Sequence, residues 1–410
     1  MRSLPADRSA TYLHALKPRV HFFGGQGIGW ALDEDLNRAR AAVAGQIDEG
    51  FFARSPIILS AWWPPLLQVG RRALNGKSVI CLADNPPTFY LTRPGFEAAV
   101  SRVDLWVARS REAVRQFKEL GLPVTFAPYT VDPGIFRELP MEERLEIRSA
   151  LGFEENDFVV GNFNRDSLER DLSLPKAQKG PDHFVELVDE ARKAIPALKV
   201  LLAGPRRHWL RGELARRGIP CVFAGKVLPE DDFSVNVLPR DKLNSLYAAL
   251  DCTLISSRWE GGPYAVLEAL QAARPVISTR VGMASDLLEG WLYDSPKEGA
   301  ELLSRIARDR PSFSSLQQGV TASHSPKQLG ACLMEAFARF PNVTSSWAGM
   351  AKTSTALAMS RVHPKFRAPL GSHAGVACTM AKVRERGDAG IGIVSEAIAI
   401  ALAEADVQSK

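Results

Sequence analysis

Two glutamates with seven residues between them, Glu260 and Glu268, stand on either side of a Gly261-Gly262-Pro263 turn. The run CTLISS from Cys252 is apolar enough for a buried strand, and YAVLEALQ after the turn has helical spacing. The pattern therefore predicts a strand-to-helix junction with Pro263 as the first helical residue, where its missing N–H costs nothing. Glycines there leave backbone amides open at the positive pole of a helix, which favours an anion such as a diphosphate. Glu260 stands just ahead of that pole, and Glu268 lies roughly 7.5 Å further along the axis at about 1.5 Å per residue. Two carboxylates bracketing a diphosphate suit a ligand with vicinal hydroxyls at both ends, a sugar on one side and a ribose on the other. The plainer description is an acid at a helix start followed by a solvated helix glutamate.

The elements that must position this turn are legible as alternation. VHFF at Val20, IILSA at Ile57, SVICLA at Ser78, LWVA at Leu105 and VTFAPY at Val124 read as strands. Between them SREAVRQFKELGLP carries apolar residues at helical period, with Ser110 as N-cap and Gly121 as stop. After Pro140 the pattern resumes with FVVGNF, KVLLAG, CVFAG, CTLISS and PVIST, separated by helical stretches such as PDHFVELVDEARKA and DKLNSLYAAL. Near-continuous apolar strands joined by helices imply buried parallel sheets. The expectation is an α/β protein with two doubly wound, Rossmann-like domains facing a cleft, residues 1–140 and 141–340, followed by an extension over 341–410 of no assigned fold. The end of that extension, IGIVSEAIAIALAEA, reads as a helix packed on the second domain or lying at a membrane interface.

Composition narrows the classes further. The chain has 410 residues, 46% of them hydrophobic and 24% charged, enough for two cores. Asp7 interrupts the stretch where a secretory leader would be apolar, so the chain reads as cytosolic, with contact to a membrane surface as an option of its +5 net charge. Lys and Arg are dispersed without aromatic interleaving, which argues against nucleic acid. Cys81, Cys221, Cys252, Cys332 and Cys378 lack metal or redox spacing and read as free thiols. No metal site is expected.

The loop FFGGQGIGWA after the first strand holds Gly24, Gly25, Gly27 and Gly29. It fails as a dinucleotide fingerprint, because Trp30 takes the place of the third glycine and the next strand ends in IILSAWWPP, without an acid. Gly27 and Gly29 read either as contacts to donor sugar or acceptor, or as a tight turn. The Trp62-Trp63 pair reads as acceptor lining or as core.

With EGGPYAVLEAL and the following ARPVISTRVG in place, the chain resembles family 4 retaining glycosyltransferases of the GT-B fold. VDLWVARSREAVRQF and PYTVDPGIF resemble that family's passage between domains, with Asp132 structural. The resemblance covers most of the chain to about Phe340. It implies that Glu260 orients the donor sugar and Glu268 the ribose. VVGNFNRD and KAQKGPDHF imply a diphosphate clamp of Arg165 and Lys179, with Arg170 or Lys176 as stand-ins because the intervening segment is long. Two fixed cations would stabilise leaving-group charge without a metal. LLAGPRRHWL implies Gly204 and Pro205 beside the donor, with Arg206, Arg207, His208 and Trp209 either touching it or forming an exposed helix start. CVFAGKV implies Lys226 and Val227 as nucleobase contacts. One departure stands out: a histidine often found near the donor sugar is replaced in ICLADNPP, where Asp84 either substitutes or caps a turn.

The resemblance thus implies a retaining, metal-independent transferase that takes a nucleotide-diphosphate sugar, needs no further cofactor, and serves a glycan or lipid-linked acceptor in envelope polysaccharide or glycoconjugate synthesis. The alternatives are a pseudoenzyme that binds nucleotide sugar or glycan, and a nucleotide-sugar epimerase, for which the sequence displays no crowding acid and base.

Overall fold

A computed structural model describes residues 17–340, apart from 26 and 28–30. The expectations placed on Gly29, on Cys378 and on the extension 341–410 lie outside the described residues.

Each half is built on six parallel strands. In the first these are β1 (Arg19–Phe23), β2 (Asp48–Glu49), β3 (Ile57–Ser60), β4 (Ser78–Leu82), β5 (Leu105–Ala108) and β6 (Val124–Phe126), in the order β2-β1-β3-β4-β5-β6. In the second they are β7 (Phe158–Asn162), β8 (Leu198–Ala203), β9 (Cys221–Ala224), β10 (Cys252–Ile255), β11 (Val276–Thr279) and β12 (Leu292–Tyr293), in the order β12-β11-β10-β7-β8-β9. Strand order reverses between β1 and β3 and between β7 and β10. Doubly wound sheets bind ligands at the carboxyl ends of the strands beside such a reversal.

The apolar runs are continuous because both faces of each sheet are covered. Along β4, Val79 and Cys81 enter one core cluster and Ile80 and Leu82 the other, as a period of two requires. Along β7 and β8, Val159, Leu201 and Ala203 face one way, and Val160, Val200 and Leu202 the other. All ten expected strands are present. The two that sequence reasoning missed, β2 and β12, are two-residue edge strands, too short to show a period. The helix Arg111–Glu119 starts where expected, with Ser110 Oγ accepting from the Ala113 N–H at 3.2 Å.

Among the described residues the chain passes between the halves twice. The first passage follows β6. There Asp132 Oδ1 accepts from the Gly134 N–H at 2.8 Å, a structural turn as expected, and Phe136 is buried. The helix Met141–Ala150 is then pinned to the second half by Arg144 and Arg148, at 2.9 and 3.0 Å from Asp251. The second passage was not foreseen. The closing helix Pro326–Ala338, assigned by sequence to the second half, packs on the first, where Leu329, Leu333, Ala336 and Phe337 share a core with Val20 and Ala39. A β-carbon on Gly330 would come within 2.3 Å of the Ala42 carbonyl, so glycine permits that helix to approach the helix Ala31–Ala42. The two passages touch where the Val131 N–H donates to the His324 carbonyl at 3.2 Å.

Candidate functional site

The loops after β7 and β10 meet at the reversal point of the second sheet. Lys179 ends a single helical turn, Ala177–Lys179, and its ammonium donates to Glu260 Oε1. Ser257 Oγ donates to the same oxygen at 2.8 Å, so Glu260 is held from two sides. The position of Lys179 depends on Gly180, which has a left-handed φ of +55° and lies so close to β10 that a β-carbon would stand 2.0 Å from the Ser256 carbonyl. The Lys179 carbonyl in turn accepts from Ser256 Oγ at 3.1 Å, and the Gln178 carbonyl accepts from the Arg258 N–H at 2.8 Å. Arg165, after β7, is half-buried. Burial first, then the like charge of Arg206, lowers its pKa, and Glu260, among other acids, counters. Arg165, Lys179 and Glu260 are thus brought together. Of the stand-ins, Arg170 is exposed, and Lys176 closes the intervening loop through its N–H on the Asp166 carbonyl at 2.6 Å.

Gly261 and Gly262 answer to a different need from the one expected of them. The Gly261 N–H donates to the Asp84 carbonyl of the first half at 3.0 Å. A β-carbon on Gly262 would meet the Tyr129 ring at 2.6 Å. These glycines let the two halves touch, and the Gly261 amide is committed to that contact. The helix starts one residue later than expected, at Tyr264, with Pro263 as its N-cap.

Glu268 is buried in the helix Tyr264–Gln271. Tyr247 donates its phenol proton to Glu268 Oε2 at 3.0 Å, and Arg240 Nη2 stands 3.9 Å from Oε1. Burial pushes the carboxyl up to about 7, with the Tyr247 hydrogen bond and Arg38 pulling against it. The description as a solvated helix glutamate is therefore overturned. Tyr247 also packs edge-on against Phe163, whose backbone adjoins Gly204. Glu268 thus shares a wall with the loops after β7 and β8.

On the first half, Asp84 follows β4. Its carboxylate accepts from Tyr90 Oη at 2.5 Å and from Asn85 Nδ2 at 2.9 Å, while its carbonyl reaches Gly261. Burial raises its pKa. The glycine loop sits at the reversal point between β1 and β3. Gly24 and Gly27 have φ of +81° and +71°, and the Gly27 N–H donates to Asp33 at 3.1 Å. Trp62 braces that loop through Nε1 on the Gly24 carbonyl at 3.1 Å, and Trp63 is core, edge-on to Tyr90 and Phe96.

After β8, Gly204 has a left-handed φ of +88° and is followed by Pro205. Neither arginine beyond them forms an exposed helix start. Arg206 is buried and bound to Asp231 and Glu169 at 2.7 and 2.8 Å; Arg207 is fully buried against Asp166 and Asn162. The N–H groups of Trp209 and Leu210 at the next helix start are taken by Ser167 Oγ and Asp166 Oδ1. His208 Nε2 lies 3.0 Å from the Leu228 carbonyl. Lys226 offers a base less than expected. The Asn236 side chain accepts from its N–H at 2.8 Å and donates to its carbonyl at 2.9 Å, and Val227 is exposed.

Sequence reasoning missed Ser257, Tyr247, Gln178 and Asn236. Ser257, in the same run as Glu260, was within reach of inspection. The others act on residues 10 to 93 positions away and carry no local signal.

Residues 172–309 match the family model for glycosyl transferases group 1. Over 195 residues the chain is 27% identical to the lipopolysaccharide core biosynthesis mannosyltransferase LpsB of Rhizobium meliloti, covering 47% of this chain and 49% of that protein. Over 182 residues it is 25% identical to the alpha-galactosylglucosyldiacylglycerol synthase of Streptococcus pneumoniae, covering 42% of each. The chain therefore spans about half the length of these relatives. Among solved structures, Anabaena HepE with UDP and glucose superposes with a TM-score of 0.61 at 16% identity, over 79% of this chain and all of that one. Trehalose-6-phosphate synthase superposes with a TM-score of 0.53 at 14% identity, over 74% and 76%. The fold is of GT-B type.

Proposed function

We propose that this chain is a retaining glycosyltransferase that needs no metal. It takes a nucleotide-diphosphate sugar at the junction of β7 and β10 and transfers the sugar to a glycan or lipid-linked acceptor on the first half. The setting is envelope polysaccharide or glycoconjugate synthesis at the cytoplasmic side. The observation that carries the reading is the contact of Lys179 with Glu260 beside Arg165, at the reversal point of the second sheet. Cations and a hydroxyl-accepting carboxylate on one spot match a diphosphate joined to a sugar.

In this reading the bond between the anomeric carbon and the phosphate oxygen breaks, and its electron pair stays on the phosphate, where Lys179 and Arg165 stabilise it. The acceptor hydroxyl attacks from the same face and gives its proton to the leaving phosphate. Glu260 orients the sugar, and Glu268 receives the ribose hydroxyls.

The complexes of HepE with UDP and with UDP-glucose make UDP-glucose the first donor to test. A panel of UDP-, GDP- and ADP-sugars, read by thermal shift, finds the donor, because a ligand of the folded state raises Tm. Slow hydrolysis of that donor, abolished by Glu260→Ala, is the expected result; hydrolysis that survives the substitution overturns the assignment. A binder without turnover is the second reading, favoured by the engagement of Asp84 with Tyr90 and Asn85. In that case the donor raises Tm but is never consumed.

A further inference from the structure

Four charged side chains alternate in sign from one half of the molecule to the other. Glu34 and Arg38 lie on the helix Ala31–Ala42, Arg240 opens the helix Arg240–Ala249, and Glu268 lies on Tyr264–Gln271. Arg38 Nε and Arg240 Nη1 both reach Glu34 Oε1 at 2.9 Å, and Arg240 Nη2 stands 3.9 Å from Glu268 Oε1. Arg38 is committed elsewhere as well, to the Thr130 carbonyl and over the Tyr264 ring at 4.4 Å. Among the described residues Arg240 is held by the two carboxylates and by the Phe136 ring at 5.7 Å. Its side chain is 33% exposed and that of Glu34 39%, so both can turn without disturbing the core.

One guanidinium thus serves two acids, one on each half. A nucleotide seated with its ribose at Glu268 brings phosphate charge within reach of that guanidinium. Phosphate then competes with Glu34 for it, and a guanidinium fork binds phosphate in two-pronged fashion. We propose that Arg240 is a donor-phosphate contact that Glu34 holds from the first half until the nucleotide takes its place. This rests on the donor-site reading above.

The test is calorimetric titration of the full chain with UDP, GDP and ADP at low salt, in wild type, Glu34→Gln, Arg240→Gln and the double variant. The competition requires Glu34→Gln to bind about three- to tenfold tighter. Arg240→Gln and the double variant should both bind at least about tenfold weaker than wild type. If the pair is only a clasp, all three variants lack it and share one affinity, and the inference falls. It also falls if Glu34→Gln binds as wild type does. A wild-type chain that binds none of the three nucleotides overturns the donor-site reading itself, and this inference with it. Unchanged thermal melts of the variants show that an altered affinity is not misfolding.

Discussion

The backbone N–H of Gly261 donates to the carbonyl of Asp84 at 3.0 Å, joining the loop after β10 to the loop after β4. A β-carbon on Gly261 would stand 2.3 Å from that oxygen and 2.6 Å from its carbon. A third backbone closes the other side, since a β-carbon on Gly282 would lie 2.4 Å from the Gly261 carbonyl oxygen. Glu260 and Lys179 are therefore aimed by main-chain contact between the halves. Beside it, the Gln178 amide reaches Asn85 Oδ1 at 3.5 Å, and Trp259 meets Phe89 at 6.0 Å between ring centroids.

Gly261→Ala tests that contact. The new methyl group meets backbone, which cannot swing aside, so the halves must part or the loop must shift. A loss of about 1–3 kcal/mol in urea unfolding is expected, with weaker donor binding. Gly319→Ala is the control. It lies in the helix Ser314–Ser323 with nothing within 4 Å of the added carbon, and should gain roughly 0.5–1 kcal/mol. Equal stability of Gly261→Ala and wild type would remove the argument.

Lys179→Ala takes away a cation that touches Glu260 and that, in the proposed mechanism, stabilises the leaving phosphate. Turnover should fall by on the order of 10²–10³, with KM less affected, because the charge it stabilises develops in the transition state. Steady-state kinetics with the identified donor decides this. A change confined to KM would make Lys179 a ground-state contact only.

Burial of Glu268 makes stability depend on pH. Its carboxyl sits near 7 in the folded chain, above the ordinary value of about 4.3, so the folded state holds the proton more tightly than the unfolded one. Stability from this group is complete below about pH 4 and is lost as pH rises through 7, by about 3 kcal/mol in all. Glu268→Gln should therefore gain on wild type at about pH 8 relative to about pH 5, while losing donor affinity. Denaturant titrations of both proteins at the two pH values measure the difference; parallel changes in the two proteins would contradict it.

His324 works in the opposite direction. Burial lowers its pKa to about 4, so below about pH 6.5 the unfolded chain takes up a proton that the folded chain refuses. Stability is full above that pH and falls toward pH 4, by about 3 kcal/mol over the whole window. Between pH 5 and 7 the two effects oppose each other in wild type, roughly within that same range. His324→Gln should leave the Glu268 trend without this opposing one, seen as a steeper loss of stability on going from about pH 5 to pH 7. A slope identical to wild type would show that His324 titrates normally.

The strand and helix alternation, the strand-to-helix turn between Glu260 and Glu268 and the N-cap at Ser110 were all legible in the sequence. Each is written in residues that are neighbours along the chain. The edge strands β2 and β12 were not, because two residues carry no period. For Arg206 and Arg207, read either as donor contacts or as an exposed helix start, the structure removes the second alternative. Adjacent cations suggest a solvated face, yet Asp231, Glu169 and Asp166 take them inside. Helix Pro326–Ala338 misled, since its apolar stripe announces that it packs but not on which sheet.

What the sequence determined by itself was a set of periods and spacings: two parallel sheets, and two acids one helix start apart. The tertiary structure decided what each acid meets. Lys179 reaches Glu260 across 81 positions and Tyr247 reaches Glu268 across 21, and the Gly261 amide faces a carbonyl from the opposite half. Hydrophobic period is a local property of the chain. Hydrogen-bond and ion-pair partners depend on distances that exist only after both sheets have formed and their loops have been pressed together.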